Sequence, residues 1–310
     1  MLGSVKERPV PKPAPSNKPV MPAKPRWGQS RRLAFIDLRL QYDGKINRKD
    51  IKDFFQISTP QATADLELYS ETAKGNLRYD FREKAYVAEP DFVPQYGRSA
   101  ATNYLDDLSR LANAIVEKDE VFEGFVPPTG VVATPSRAIG APLVAALVRA
   151  IRDRLTLRIT YQSMDEPMPT DRVISPHALG FDGLRWHTRA WCHQRKVFRD
   201  FAIGRLTIEG EVSADEPAIP ANDAGWQTMV DIILVPHPGL TPSQRNVVMR
   251  DYEMTEGRRV VPCRKAMLFY TLRHLNLDSP EVLPNAARQH VIVENRSDVD
   301  RWVEDDRRPA

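Results

Sequence analysis

From residue 30 the apolar positions recur at helical spacing. Leu33, Ile36 and Leu40, with Phe35 and Leu38 beside them, predict a helix that Asp43-Gly44 stops. Asn47 stands three residues before Asp50, the spacing of an N-cap and its acidic partner. Ile51, Phe54 and Phe55 give the short helix that follows an apolar face. A third helix is predicted to start at Thr59-Pro60, with Thr59 as cap and Pro60 at the first helical position. On it Ala62, Leu66 and Tyr69 turn inward, while Gln61, Thr63 and Asp65 point elsewhere. Strand-like pieces at 77–79 and 85–87 follow, joined by residues 80–84. Three helices and then a hairpin within residues 30–95 are the order of a winged helix-turn-helix.

A further helix is expected over 103–118, with Leu105, Leu108, Leu111, Ala112 and Ile115 on one side. Pro127, Pro128, Gly130 and Pro135 break the next stretch, and 141–152 reads as helix. From Leu155 the period shifts to two: Leu157, Ile159 and Tyr161 alternate with Arg158 and Thr160. Extended runs at 172–179, 184–192 and 197–203, with a turn at Phe181-Asp182-Gly183, predict a small, strongly bent sheet or barrel. Strand 228–235, a helix over 241–251 capped by Thr241 with Pro242 behind it, strand 259–262 and helix 265–275 make a βαβα unit. The expected fold class is α+β and multidomain. Its parts are a tail at 1–29, the winged helix at 30–95, a helical linker at 96–153, the bent sheet at 154–215, the βαβα unit at 225–280 and a C-terminal segment at 281–310.

The chain has 310 residues, 42% hydrophobic and 27% charged, enough apolar matter for more than one core. It has no run long and apolar enough for a transmembrane helix, so no membrane partner is expected. Two cysteines, Cys192 and Cys263, exclude a disulfide scaffold and a four-cysteine zinc site. The start lacks the apolar stretch of a secretory leader, so a cytoplasmic protein with reduced thiols is expected. The net charge is only +3, and its distribution says more. Residues 1–29 carry six basic residues against Glu7, with seven prolines, and are expected to form an extended tail. That tail is either a solvated linker or a basic arm that touches phosphates. Residues 30–95 hold eleven basic and eleven acidic residues, so the winged-helix segment is electrically neutral. On it Gln61 and Thr63 suit base edges, and Arg78, Arg82 and Lys84 of the hairpin suit phosphates, while Asp65 and Glu67 oppose close phosphate contact.

A second basic stretch, 172–205, holds seven arginines and lysines against Asp182 and Asp200, plus His177, His187 and His193. Strand alternation puts Arg185, His187 and Arg189 on one face and Trp186 and Thr188 on the other. Such a face is kept most easily if an anion sits between the cations or Asp200 neutralises one. Arginine forks suit phosphate oxygens, and an aromatic face can stack on a base. Plainer readings stand beside this one: Trp186 and Trp191 as core residues, His177 bonded to a backbone carbonyl, Arg199-Asp200 as a structural ion pair. Ser175, His177 and Asp182 supply the residue types of a hydrolase triad. However, positions two apart on a strand lie about 7 Å apart, too far for a direct bond. The chain lacks a nucleophile elbow, a P-loop, a dinucleotide glycine fingerprint and an HExxH pair. Neither an enzyme nor a cofactor or metal site is expected.

Residues 174–207 resemble the WYL domain of bacterial regulators. The name-giving triplet appears as Trp186-His187-Thr188, of which only the tryptophan matches. Tyr161, Ser175-Pro176-His177, Arg185, Arg189, Phe198-Arg199-Asp200-Phe201 and Arg205 match better. With the winged helix before it and the βαβα unit after it, the layout over residues 30–280 resembles the WYL-domain repressors of phage-defence operons that accompany BREX and CBASS systems. The resemblance implies an Sm-like β-barrel that senses nucleic acid or a nucleotide. Its pocket would be made by Tyr161, Ser175, His177, Arg185, Trp186, His187, Arg189, Arg199, Asp200 and Arg205. It further implies a C-terminal unit that builds a homodimer, and a winged helix that binds a double-stranded, inverted-repeat operator. The duplex would be met by Arg48, Ser58, Thr59, Gln61, Ala62 and Thr63 together with the hairpin cations Arg78, Arg82 and Lys84. The expected function is a homodimeric repressor; the alternative is an adaptor that senses nucleotides without binding an operator.

Overall fold

The computed structural model describes residues 27–96, 101–135, 139–212 and 219–307. The basic, proline-rich tail expected at 1–29 lies outside them except for its last residues. The chain divides into two compact units between Ala133 and Thr134.

The first unit begins with α1 (Trp27–Asp43), β1 (Lys45–Ile46), α2 (Arg48–Phe55) and α3 (Thr59–Thr72). It continues with β2 (Leu77–Asp80), β3 (Ala85–Ala88) and α4 (Ala101–Ala112). The Asn47 side chain accepts from Asp50 N while Asp50 accepts from Asn47 N, so the expected capping box closes α2. At α3 the cap is Ser58, which accepts from Gln61 N, and Thr59 is already helical. The three helices bury one core of Leu33, Phe35, Ile36, Leu40, Ile51, Leu66 and Tyr69, which Phe122 completes from beyond α4. Lys45–Ile46 was not anticipated as a strand; it pairs with β3, giving a sheet ordered β1-β3-β2. Asp65 was expected to point away from the core, yet it is fully buried. Arg32 of α1 meets it with two bonds, at 2.6 and 3.2 Å. α4 ends well before residue 118, Ala114 takes a left-handed conformation, and the expected inner-face residues Leu105 and Ile115 are exposed.

The second unit opens with α5 (Ala141–Asp153), followed by β4 (Thr156–Tyr161), β5 (Thr170–Phe181), β6 (Trp186–Cys192), β7 (Val197–Ala202) and β8 (Leu206–Val212). These five strands form an antiparallel sheet ordered β7-β6-β5-β4-β8. Its two outer strands, β7 and β8, are consecutive and joined by one 3-10 turn at Ile203–Arg205, so the sheet must roll back on itself. Leu147 and Ala150 of α5 pack against Leu157, Ile159, Ile174, Ala190 and Phe201. β5 carries a bulge between Pro176 and Ala178, one of the places a proline is tolerated inside a sheet.

The chain then runs through α6 (Ala224–Gln227), β9 (Met229–Pro236), α7 (Pro242–Asp251), β10 (Arg259–Arg264), α8 (Leu268–His274), β11 (Val291–Val293) and α9 (Arg296–Arg307). Thr241 caps α7 as expected, in a box with Gln244. The sheet order is β10-β9-β11, so the last thirty residues are not a separate segment. β11 pairs with β9, and Val291, Val293 and Val299 enter the same core as Val230, Ile232 and Leu234.

Candidate functional site

Two surfaces carry the chemistry. On the winged helix, Ser58, Thr59 and Gln61 are exposed at the start of α3 and Thr63 is half-buried. The Ser58 hydroxyl is engaged as the cap, and Thr63 Oγ1 donates to Thr59 O at 3.1 Å. Ala62 is completely buried beneath them, so its place among the duplex contacts is withdrawn: helical geometry turns it into the core. Arg48 is exposed at the start of α2, its guanidinium over the Tyr86 ring and 3.2 Å from the phenol oxygen. In the hairpin Arg78 faces Asp80 and Glu89, both at 3.4 Å. Arg82 and Lys84 are exposed, and no described carboxylate pairs with either. With Asp65 neutralised by Arg32, the acidic objection to phosphate at α3 is reduced to exposed Glu67.

The second surface is a trough of about 1120 Å³ between the rolled sheet and α8. Of the expected pocket residues it gathers Tyr161, Arg185, His187, Arg189, Arg199, Asp200 and Arg205. It also gathers Arg195, Lys265, Phe269, Tyr270 and Arg273, which the sequence reading did not assign to it. Lys265, Phe269 and Arg273 recur every four residues; two cations at core-like helical spacing were the available signal. The lining has seven basic side chains against Asp165 and Asp200, an excess of five positive charges.

The cations are not equivalent. Arg189 is 4% exposed and its fork is closed by Asp223, at 2.8 and 3.1 Å, with Asp200 at 3.4 Å. It is therefore a buried clamp between the sheet and the segment leading to β9, and its charge is already met. Burial opposes ionisation of Asp223, but His177, Arg189 and Trp226 N outweigh it and hold its carboxyl well below the usual range. Arg185 is matched by Asp182, Arg195 by Glu166 and Lys265 by Asp305. For Arg199, Arg205 and Arg273 no ion pair is formed with any described residue. His187 is 6% exposed; its Nε2 lies 3.0 Å from Asp182, and its ring lies 4.9 Å from the Tyr270 ring. Its Nδ1 is buried with no partner among the described residues. Burial again opposes ionisation of Asp182, but donors from His187, Leu184 N and Arg185 hold its carboxyl at about 2. Burial and the Asp200 carboxylate push the Tyr270 phenol up.

Three expected pocket residues lie elsewhere. Trp186 projects from the other strand face, half exposed, with its ring 5.0 Å from Phe181, so it is neither core nor trough. The bulge takes His177 out of register with Ser175, and its Nε2 meets Asp223 at 2.8 Å rather than a backbone carbonyl. Ser175 Oγ lies 2.8 Å from both Thr156 Oγ1 and His193 Nε2. The residues of the conceivable triad thus go to different partners: Ser175 to His193, His177 to Asp223, and Asp182 to His187 and Arg185.

A winged helix, a rolled five-stranded sheet with a basic trough, and a terminal α/β unit together define a ligand-sensing, DNA-binding regulator. Residues 28–110 match the BrxR transcriptional regulator winged helix-turn-helix domain, 142–208 the WYL domain, and 229–299 the BrxR C-terminal dimerization domain. The chain is 61% identical to the DNA-binding transcriptional repressor CapW of Stenotrophomonas maltophilia, over 92% of this chain and 95% of that one. It is 42% identical to CapW of Pseudomonas aeruginosa, over 88% and 91%, and 41% identical to CapW of Escherichia coli strain KTE188, over 85% and 90%. The chain belongs to the CapW family of DNA-binding transcriptional repressors. No described helix is long and apolar enough to cross a membrane.

Proposed function

We propose that two copies of this chain, joined through the unit around β9, hold an inverted-repeat operator of a phage-defence operon. The winged helices read the duplex, with Gln61 and Thr59 at base edges and Arg48, Arg82 and Lys84 on phosphates. A nucleic acid or nucleotide in the trough favours a protomer arrangement of different half-site spacing, and the operator is released. A ligand can do this only through unequal affinity for the two arrangements. The protein works in the cytoplasm as a binding switch, with no catalytic step.

The observation that carries the ligand reading is the set of unmatched groups in one trough: Arg199, Arg205 and Arg273 without carboxylates, and the partnerless His187 Nδ1. A buried polar atom left unpaired costs about 1–3 kcal/mol, which a ligand that bonds to it recovers. Guanidinium groups without counter-charges suit phosphate oxygens, and the Tyr270 and Phe269 rings offer a stacking surface.

The test is binding of the chain to its own upstream region across a salt series, with short single-stranded oligonucleotides and mononucleotides as competitors. Promoter-specific binding that weakens with salt, and release by one competitor, are expected. An Arg199→Ala/Arg205→Ala variant should bind the promoter normally and lose release. No promoter-specific shift at any salt would instead favour an adaptor, and release undiminished in the double variant would remove the trough assignment.

A further inference from the structure

The hairpin between β2 and β3 ends in an exposed aromatic residue. Asp80 pairs with Ala85, so Phe81, Arg82, Glu83 and Lys84 form a four-residue loop. Phe81 is 84% exposed, against 66% for Phe125 and 48% for Trp186, more than any other described Phe, Tyr or Trp. A single exposed apolar residue is ordinary by itself. The surroundings of this one are not.

The two acids at this end of the hairpin, Asp80 and Glu83, are both engaged. Asp80 Oδ1 accepts from Arg82 N at 2.8 Å and Glu83 N at 3.1 Å, which consumes it in the turn. Glu83 is paired with Lys45 at 2.7 Å, back along β1. What remains outermost is Phe81 with Arg82 and Lys84, neither held by a described carboxylate. The ring is also braced: Tyr79 meets it edge-on, centroids 5.1 Å apart and planes at 84°, and Tyr79 in turn leans on Tyr86. A ring supported from behind and flanked by two unmatched cations matches a polyanion with apolar layers between its charges. Duplex DNA presents stacked base steps between two rows of phosphates. The major groove accommodates a helix, which leaves the narrower minor groove to a hairpin tip.

We propose that Phe81 is an apolar wedge that enters the minor groove and partly unstacks one base step, with Arg82 and Lys84 on the phosphates to either side. Proteins that insert such wedges kink the duplex by about 20–90°, and pyrimidine–purine steps open most readily. The hairpin then contributes sequence preference through deformability at a step that α3 does not touch. This rests on the duplex binding described above, and deepens it.

The experiment uses the full chain and an operator fragment with end-labelled fluorophores and 2-aminopurine at each pyrimidine–purine step in turn. The wild type should bend the fragment and brighten one probe position. Phe81→Ala should bind about tenfold more weakly with the bend and brightening lost, and with an unchanged salt slope because no cation is removed. Phe81→Trp should restore both signals. Arg82→Ala should keep the bend and reduce the salt slope by about one. Phe81→Ala binding and bending as the wild type does would overturn the wedge alone. So would a Phe81→Ala chain that keeps its DNA behaviour but changes oligomeric state, which would make the ring a protein contact. A wild-type chain that binds no duplex would overturn the wedge and the operator reading together.

Discussion

The buried charges of the sensing module decide which arginines are free to act. Arg189 has the residue type and position of a phosphate reader, but Asp223 and Asp200 already surround it. Arg199, Arg205 and Arg273, more exposed than Arg189, carry the unmatched charge. Nothing in the local sequence announces this, because Asp223 stands 34 positions from Arg189. The other acid here has a measurable signature. Asp182 is held at about 2 against an ordinary 3.8, so its contribution to stability is complete above about pH 4 and is lost as the pH falls through 2. The shift corresponds to about 2 kcal/mol of stability. Denaturant unfolding followed from pH 6 to pH 2 should fall along this limb. Asp182→Asn should be less stable at pH 6 by a similar amount and have a flatter acid limb. An identical limb in the variant would remove Asp182 as its source.

Among elements, those specified by neighbours in sequence were legible and those specified by distant partners were not. The capping boxes of α2 and α7 read directly from Asn47/Asp50 and Thr241/Gln244, since both partners lie within one turn. At α3 the sequence offered two adjacent hydroxyls and pointed to the wrong one. Ser58 is the cap, so Ser58→Ala should cost about 1 kcal/mol, whereas Thr59→Ala should cost only a few tenths. Thermal melts of the two variants distinguish the assignments; equal losses would return the cap to ambiguity. Leu206, Ile208 and Val212 of β8 do alternate with Thr207, Glu209 and Glu211, so that strand was legible. The short strands β1 and β11, in contrast, were missed because two or three residues carry no periodicity until a partner pairs with them. The bulge at Pro176 belongs to the same class, and it sends His177 to Asp223 instead of beside Ser175.

For the whole molecule, the order of parts was readable from the alternation of helical and two-residue periods, and the family matches agree with that order. The extent of the last part was not readable. Within the expected C-terminal segment, β11 completes the sheet around β9, and Val291, Val293 and Val299 are buried. Each such side chain contributes about 1.5–3 kcal/mol when buried, so together they rival the margin that keeps a domain folded. A chain ended at residue 280 should lose the cooperative melt of its C-terminal part and run as a monomer by light scattering. A truncated chain that remains a stable dimer would place the dimer contact and its support elsewhere.

The sequence by itself determined the succession of winged helix, rolled sheet and α/β unit, the caps of two helices, and the concentration of arginines over residues 172–205. Those features follow from period and composition, which act over a few residues. The tertiary structure decided which charges are spent and which remain, because compensation requires groups far apart in the chain to meet in one place. That separates Arg189, closed by Asp223, from Arg205, and Asp65, closed by Arg32, from the bare cations at the hairpin tip.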